Sequence, residues 1–67
     1  MTPMEKAAEI AARSPDLVKR LLALEEEPRQ KEIARLIAEA LARNNRTRAE
    51  ELAQIRNHLE IRTRMMA

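Results

Sequence analysis

The side chains able to do covalent chemistry are few. His58 is the one histidine, cysteine is absent, and the hydroxyls of Thr2, Ser14, Thr47 and Thr63 fall where helix caps or surface positions are expected. Glu51 and His58 are seven residues apart, which places them on one side of a helix with Asn57 adjacent. A nucleophilic site needs a nucleophile, a base within reach of it and a group that orients the base. That set is missing here, and one His with scattered Glu falls short of a zinc site. The expectation is a protein that is not an enzyme, with no catalytic residues, no metal, no cofactor and no small-molecule substrate.

The chemistry of recognition is better represented, and it gathers in residues 46–66. At about 100° per residue, Leu52, Ile55, Leu59 and Met66 share one side of a helix. The other side carries Gln54, Asn57, His58, Ile61, Arg64 and Met65, a mixture of amides, imidazole, Arg and apolar groups rather than the Glu and Lys of a solvated face. Two kinds of partner suit it. Duplex DNA would be met by Arg46 and Arg48 at the helix start, where free N–H groups also favour phosphate. Gln54 and Asn57 could pair with adenine, Arg64 could reach guanine or phosphate, and Ile61 could touch a thymine methyl. The third helix, the Asn44-Asn45-Arg46 turn and the fourth helix have the outline of a helix-turn-helix. Glu50 and Glu51 would repel phosphate, and the third helix is long for that motif. Alternatively, Gln54, His58, Ile61 and Met65 are spaced 4-3-4, a heptad-like stripe suited to a protein helix or a second copy of the chain. The plain reading, isolated apolar residues on an ordinary surface, stands beside both. The DNA reading ranks first because the face combines amides, Arg and Ile while the chain lacks every aromatic anchor.

Four helices must position these residues. Thr2-Pro3-Met4-Glu5 is a capping box with Pro at the first helical position, and the first helix spans about residues 3–13, with Met4, Ala7, Ala8 and Ala11 inward. Ser14-Pro15-Asp16 starts a second over about 15–26, whose Leu17, Val18, Leu21, Leu22 and Leu24 make it the most apolar and the expected centre. Glu25-Glu26-Glu27-Pro28 separates it from a third over about 28–43, the acids suiting the N-terminus of that helix. Ile33, Leu36, Ile37, Ala40 and Leu41 face inward there, with Ala34, Ala38 and Ala42 allowing close approach. Asn44-Asn45 supplies a turn in which Asn tolerates the left-handed conformation. Thr47-Arg48-Ala49-Glu50 reads as a capping box opening the fourth helix over about 47–66.

Sixty-seven residues without Gly, Cys, Phe, Tyr or Trp make one small all-α domain, a compact bundle of four short helices. Its core is restricted to Leu, Ile, Val, Met and Ala, and a chain this short buries only about 60% of its unfolded surface. The net charge is +2, with ten Arg to three Lys, and every basic residue after Lys31 is Arg. Residues 34–67 hold seven basic and four acidic groups, against six and seven in residues 1–33. With no apolar run near the ~18 residues of a membrane span and no signal-peptide core, a soluble cytoplasmic protein is expected.

Two resemblances add to this. Pro28-Arg29-Gln30, Glu32-Ile33 and Arg35-Leu36-Ile37-Ala38-Glu39 resemble the first helix of LuxR-type DNA-binding domains, and Ile55-Arg56-Asn57-His58-Leu59 is similar to the middle of their recognition helix. The likeness covers about a quarter of the chain and would put Arg56, Asn57 and His58 at DNA; the short helix, Gly and second turn that the family carries between these pieces are absent. Over the whole chain, the Ser/Thr-Pro helix starts, capping boxes and Leu/Ile/Ala core resemble a computationally designed helical mini-protein. Such proteins are binders or fold tests, and Arg64-Met65-Met66 departs from their idealised surfaces.

Overall fold

The computed structural model describes residues 2–66, with Met66 described by its backbone alone. Four helices follow in order: α1 (Pro3–Ala12), α2 (Pro15–Leu22), α3 (Glu26–Ala42) and α4 (Arg46–Met66). No helix among the described residues is long and apolar enough to cross a membrane. A thickness of 17 Å fits two layers of helices whose axes lie about 8–10 Å apart. The 21 residues of α4 make a rod of about 31 Å, close to the longest dimension of 35 Å. This helix is therefore the spine of the fold.

Short-range chemistry explains most boundaries. Thr2 Oγ1 accepts from the Glu5 N–H at 3.2 Å, with Pro3 opening α1. Ser14 precedes α2 but makes no side-chain cap bond, so Pro15 and the Ser14 carbonyl, bonded by the Val18 N–H, carry that start. Helix α2 ends at Leu22 and not near residue 26, because Glu25 already belongs to the next element. Its carbonyl takes the first bond of α3, from the Arg29 N–H at 2.9 Å, and Glu26 and Glu27 fill the first turn. There the three acids face the positive end of the dipole instead of the negative end of α2.

The α3–α4 turn corrects the expected cap. Asn44 is left-handed, with φ 58°. Its N–H bonds to the Leu41 carbonyl, and the Asn45 N–H to that of Ala40 at 2.8 Å, a Schellman motif. Asn45 then begins α4: its carbonyl accepts from the Ala49 N–H and its Oδ1 from the Arg48 N–H at 3.1 Å. Thr47 lies inside the first turn and is exposed; the cap is Asn45, two residues earlier. One residue closes α3 and opens α4, which leaves no chain length for a Thr47 cap.

Helices α3 and α4 pack antiparallel along their length. Ala40 clusters with Ala49 and Leu52 beside the turn, and Ile33 clusters with Ile55 and Leu59 beyond it. At the far end Gln30 Nε2 donates to Glu60 Oε1 at 3.3 Å. A helix-turn-helix pair crosses near 90–120° and parts after its turn; here the contact continues, as in an αα-hairpin. Helix α1 lies across the C-terminal half of α4, its close approach permitted by the buried Ala7 and Ala11. Helix α2 closes the core with Val18 and Leu21. Leu21 and Ile55 are both fully buried, but α4, with buried side chains facing every other helix, is the centre that α2 was expected to be.

The inward assignments need three further changes. Met4 is 56% exposed and Leu41 51% exposed, and Ala8, Ala34, Ala38 and Ala42 face solvent. Met4 lies in the first turn of α1, where the chain has not yet come over the core. The alanines lie on the outer side of α1 or α3 rather than at a close crossing. The expected inward position of the Met66 side chain lies outside the described residues.

Candidate functional site

Helix α4 presents its surface side chains in several directions, because α1, α2 and α3 meet it on different sides. Gln54, Asn57, Ile61 and Arg64 line a recess of about 250 Å³ together with Pro3, Met4 and Ala7 of α1 and with Glu60. Ile61 and Gln54 are half-buried there, while Asn57 and Arg64 are exposed. Met65 follows Ile61 by four residues on the same face and is 78% exposed. Met4, Ile61 and Met65 thus make an apolar patch bordered by amides and by one charge of each sign.

The remaining expected site residues lie elsewhere. His58 turns to a recess of about 450 Å³ at the α1–α2 elbow, with Ala8, Ala11, Ala12, Pro15, Val18, Leu22, Lys19 and Arg62. The 4-3-4 stripe is broken by this, since α1 passes between His58 and the Ile61 patch. Arg56 faces α3 and shares a recess of about 350 Å³ with Glu26, Arg29, Gln30 and Thr63. Arg56, Asn57 and His58, grouped by the LuxR-type likeness, are directed to three sides of α4. Consecutive helical residues diverge by about 100°, and here each direction has a different neighbour.

Arg46 and Arg48 lie at the start of α4, on the tip of the hairpin. Every other helix carries an acid in its first turn: Glu5, Asp16, or Glu26 and Glu27. The first turn of α4 carries Arg46 and Arg48 and no acid, a placement opposed by the helix dipole. Arg48 Nη1 is 3.8 Å from Glu51 Oε1; among the described residues Arg20, Arg43 and Arg46 have no ion pair. The other pairs lie on α1, between Glu9 and Arg13, and on α3, between Glu27 and Lys31 and around Arg35. Arg35 bridges Glu32 and Glu39, and its hydrogen bond to Glu32, then the charges of Glu32 and Glu39, raise its pKa. Glu27, Glu32 and Glu39 of α3 are thereby occupied, while Arg43 and Arg46 at the tip have no ion pair among the described residues.

Arg20, Arg43 and Met4 were not among the expected site residues. The spacing of Arg43, Arg46 and Arg48 around the Asn pair was a visible signal for the second of these. Arg20 had none, since only the packing of α2 brings it to the hairpin tip. No protein-family model, curated protein or solved structure matches the chain.

Proposed function

We propose that this protein is a helical protein-interaction module whose contact surface joins the start of α1 to the C-terminal half of α4, and that a second copy of the chain is its partner. The carrying observation is the apolar patch made by the exposed Met4 and the half-buried Ile61, which line one recess, and the exposed Met65 one turn beyond Ile61. Methionine adapts to irregular partners, which suits an interface lacking aromatic anchors. The recess also holds Glu60 and Arg64, so two copies related by a two-fold axis can set opposite charges against each other. A small chain without cysteine or aromatic residues has few other ways to bury more apolar area, and oligomerisation is a common one. Sedimentation equilibrium across a concentration series tests this. The wild type should show a mass rising towards the dimer, and Ile61→Glu and Met65→Glu should stay monomeric with unchanged helicity. A wild type of monomer mass at every concentration would remove the reading.

Double-stranded DNA is a second reading, favoured by Arg43 and Arg46, which have no ion pair among the described residues, beside Arg48 at the hairpin tip. Phosphate contacts there would come first, with Gln54, Asn57 and Arg64 offered to base edges alongside the start of α1. Fluorescence anisotropy with duplex DNA at two salt concentrations tests it. Affinity should fall steeply with salt, and Arg46→Ala should lower the salt slope by about 1. Binding undetectable at low salt excludes it.

A further inference from the structure

Behind the hairpin tip, α2, α3 and α4 enclose a recess of about 270 Å³ that neither partner reading uses as a cavity. Its floor is Leu17, Leu36, Ala40 and Leu52, one helix contributing Leu17, another Leu36 and Ala40, and α4 Leu52. Its rim carries Arg20 from α2, Arg43 from the end of α3 and Arg48 from the first turn of α4. The one acid in the lining, Glu39, is held by Arg35 Nη1 at 2.7 Å; Arg48 pairs with Glu51 at 3.8 Å, which leaves Arg20 and Arg43 as the rim cations without an ion pair among the described residues. Asn45 completes the rim, but its side-chain oxygen is engaged by the Arg48 N–H.

An apolar floor beneath three cations combines two requirements in one ligand. Arg forks hold carboxylates through paired, charge-assisted hydrogen bonds, and the leucines take up an alkyl group by the hydrophobic effect. The recess around Arg56 sets Glu26 and Glu60 among its arginines, and the one at the α1–α2 elbow carries Lys19 and a single arginine, Arg62, over its apolar lining. At about 270 Å³ the volume lies just below the ~300–1,000 Å³ of drug-sized ligand sites, so the ligand is small. We propose that the recess formed by Arg20, Arg43 and Arg48 over Leu17, Leu36 and Leu52 binds a small amphiphilic anion, a carboxylate carrying a short alkyl chain.

The test is an amide chemical-shift titration of the full chain with octanoate, with acetate as a charge-only probe and 1-hexanol as an apolar-only probe. Octanoate should shift the amides of residues 17, 20, 36, 43, 48 and 52 saturably and bind more tightly than either control. Arg20→Gln and Arg43→Gln, exposed positions without an ion pair, should keep the fold by circular dichroism and each weaken octanoate about tenfold, the scale of one charge-assisted hydrogen bond. Acetate binding equal to octanoate would reduce the site to a charge cluster, and hexanol binding equal to octanoate would reduce it to an apolar dimple. Either result, unchanged affinity in both Arg variants, or shifts confined to other recesses overturns the proposal. The proposal does not depend on the dimer surface, so Ile61→Glu should bind octanoate as the wild type does.

Discussion

Replacing Asn45 by Ala isolates the junction on which the α3–α4 hairpin depends. The backbone N–H of Asn45 closes α3 at 2.8 Å on the Ala40 carbonyl, and an Ala can make the same bond. What is lost is Oδ1, the acceptor of the Arg48 N–H at 3.1 Å. Removing an Asn N-cap costs about 1 kcal/mol, and in a domain of this size that lowers Tm by roughly 4–8 °C. Thr47→Ala removes an exposed hydroxyl already inside the first turn and replaces it with a better helix former. Its effect should stay within about 0.5 kcal/mol of zero. Thermal melts followed by circular dichroism give the two shifts, and hydrogen exchange at the Arg48 amide gives the local effect. A larger loss for Thr47→Ala than for Asn45→Ala, or unchanged Arg48 protection in Asn45→Ala, would mean that α4 is capped at Thr47 after all.

Asn44→Gly should be neutral or stabilising in urea unfolding, because glycine has no Cβ to crowd the left-handed φ of 58°; Asn44→Ala should cost about 1 kcal/mol. Leu21→Ala, at a fully buried side chain in the cluster joining α2 to α3 and α4, should cost roughly 2–5 kcal/mol. Leu41→Ala, at a residue 51% exposed, should move the urea midpoint little. Reversal of that order would show that α3 is rotated relative to the core described.

Local signals settled the elements of this protein. Proline positions, the Thr2 cap, the acids at the start of α3 and the Asn pair each act within one turn of chain, where backbone hydrogen bonds and sterics decide. The four helices and the buried set of Leu21, Ile33, Leu52, Ile55 and Leu59 were therefore legible from residue type and spacing. The failures at that level were choices between adjacent local solutions: Thr47 and Asn45 are both good caps, and only the Schellman bond of Asn45 to Ala40 selected between them.

Which surfaces remain open was decided by tertiary packing. A helical wheel sorts α4 into an inner and an outer side, but three neighbours meet it from three directions. As a result Arg56 faces α3, His58 faces the α1–α2 elbow, and Gln54, Asn57 and Ile61 face the start of α1. Met4 joins Ile61, and Arg20 joins Arg43 and Arg48, across gaps of more than twenty residues that periodicity does not span. The sequence determines which side chains each helix carries, because that depends on a few neighbouring residues. Their meeting across helices depends on how the apolar faces of four separate elements fill one core, and that is a property of the packed structure alone.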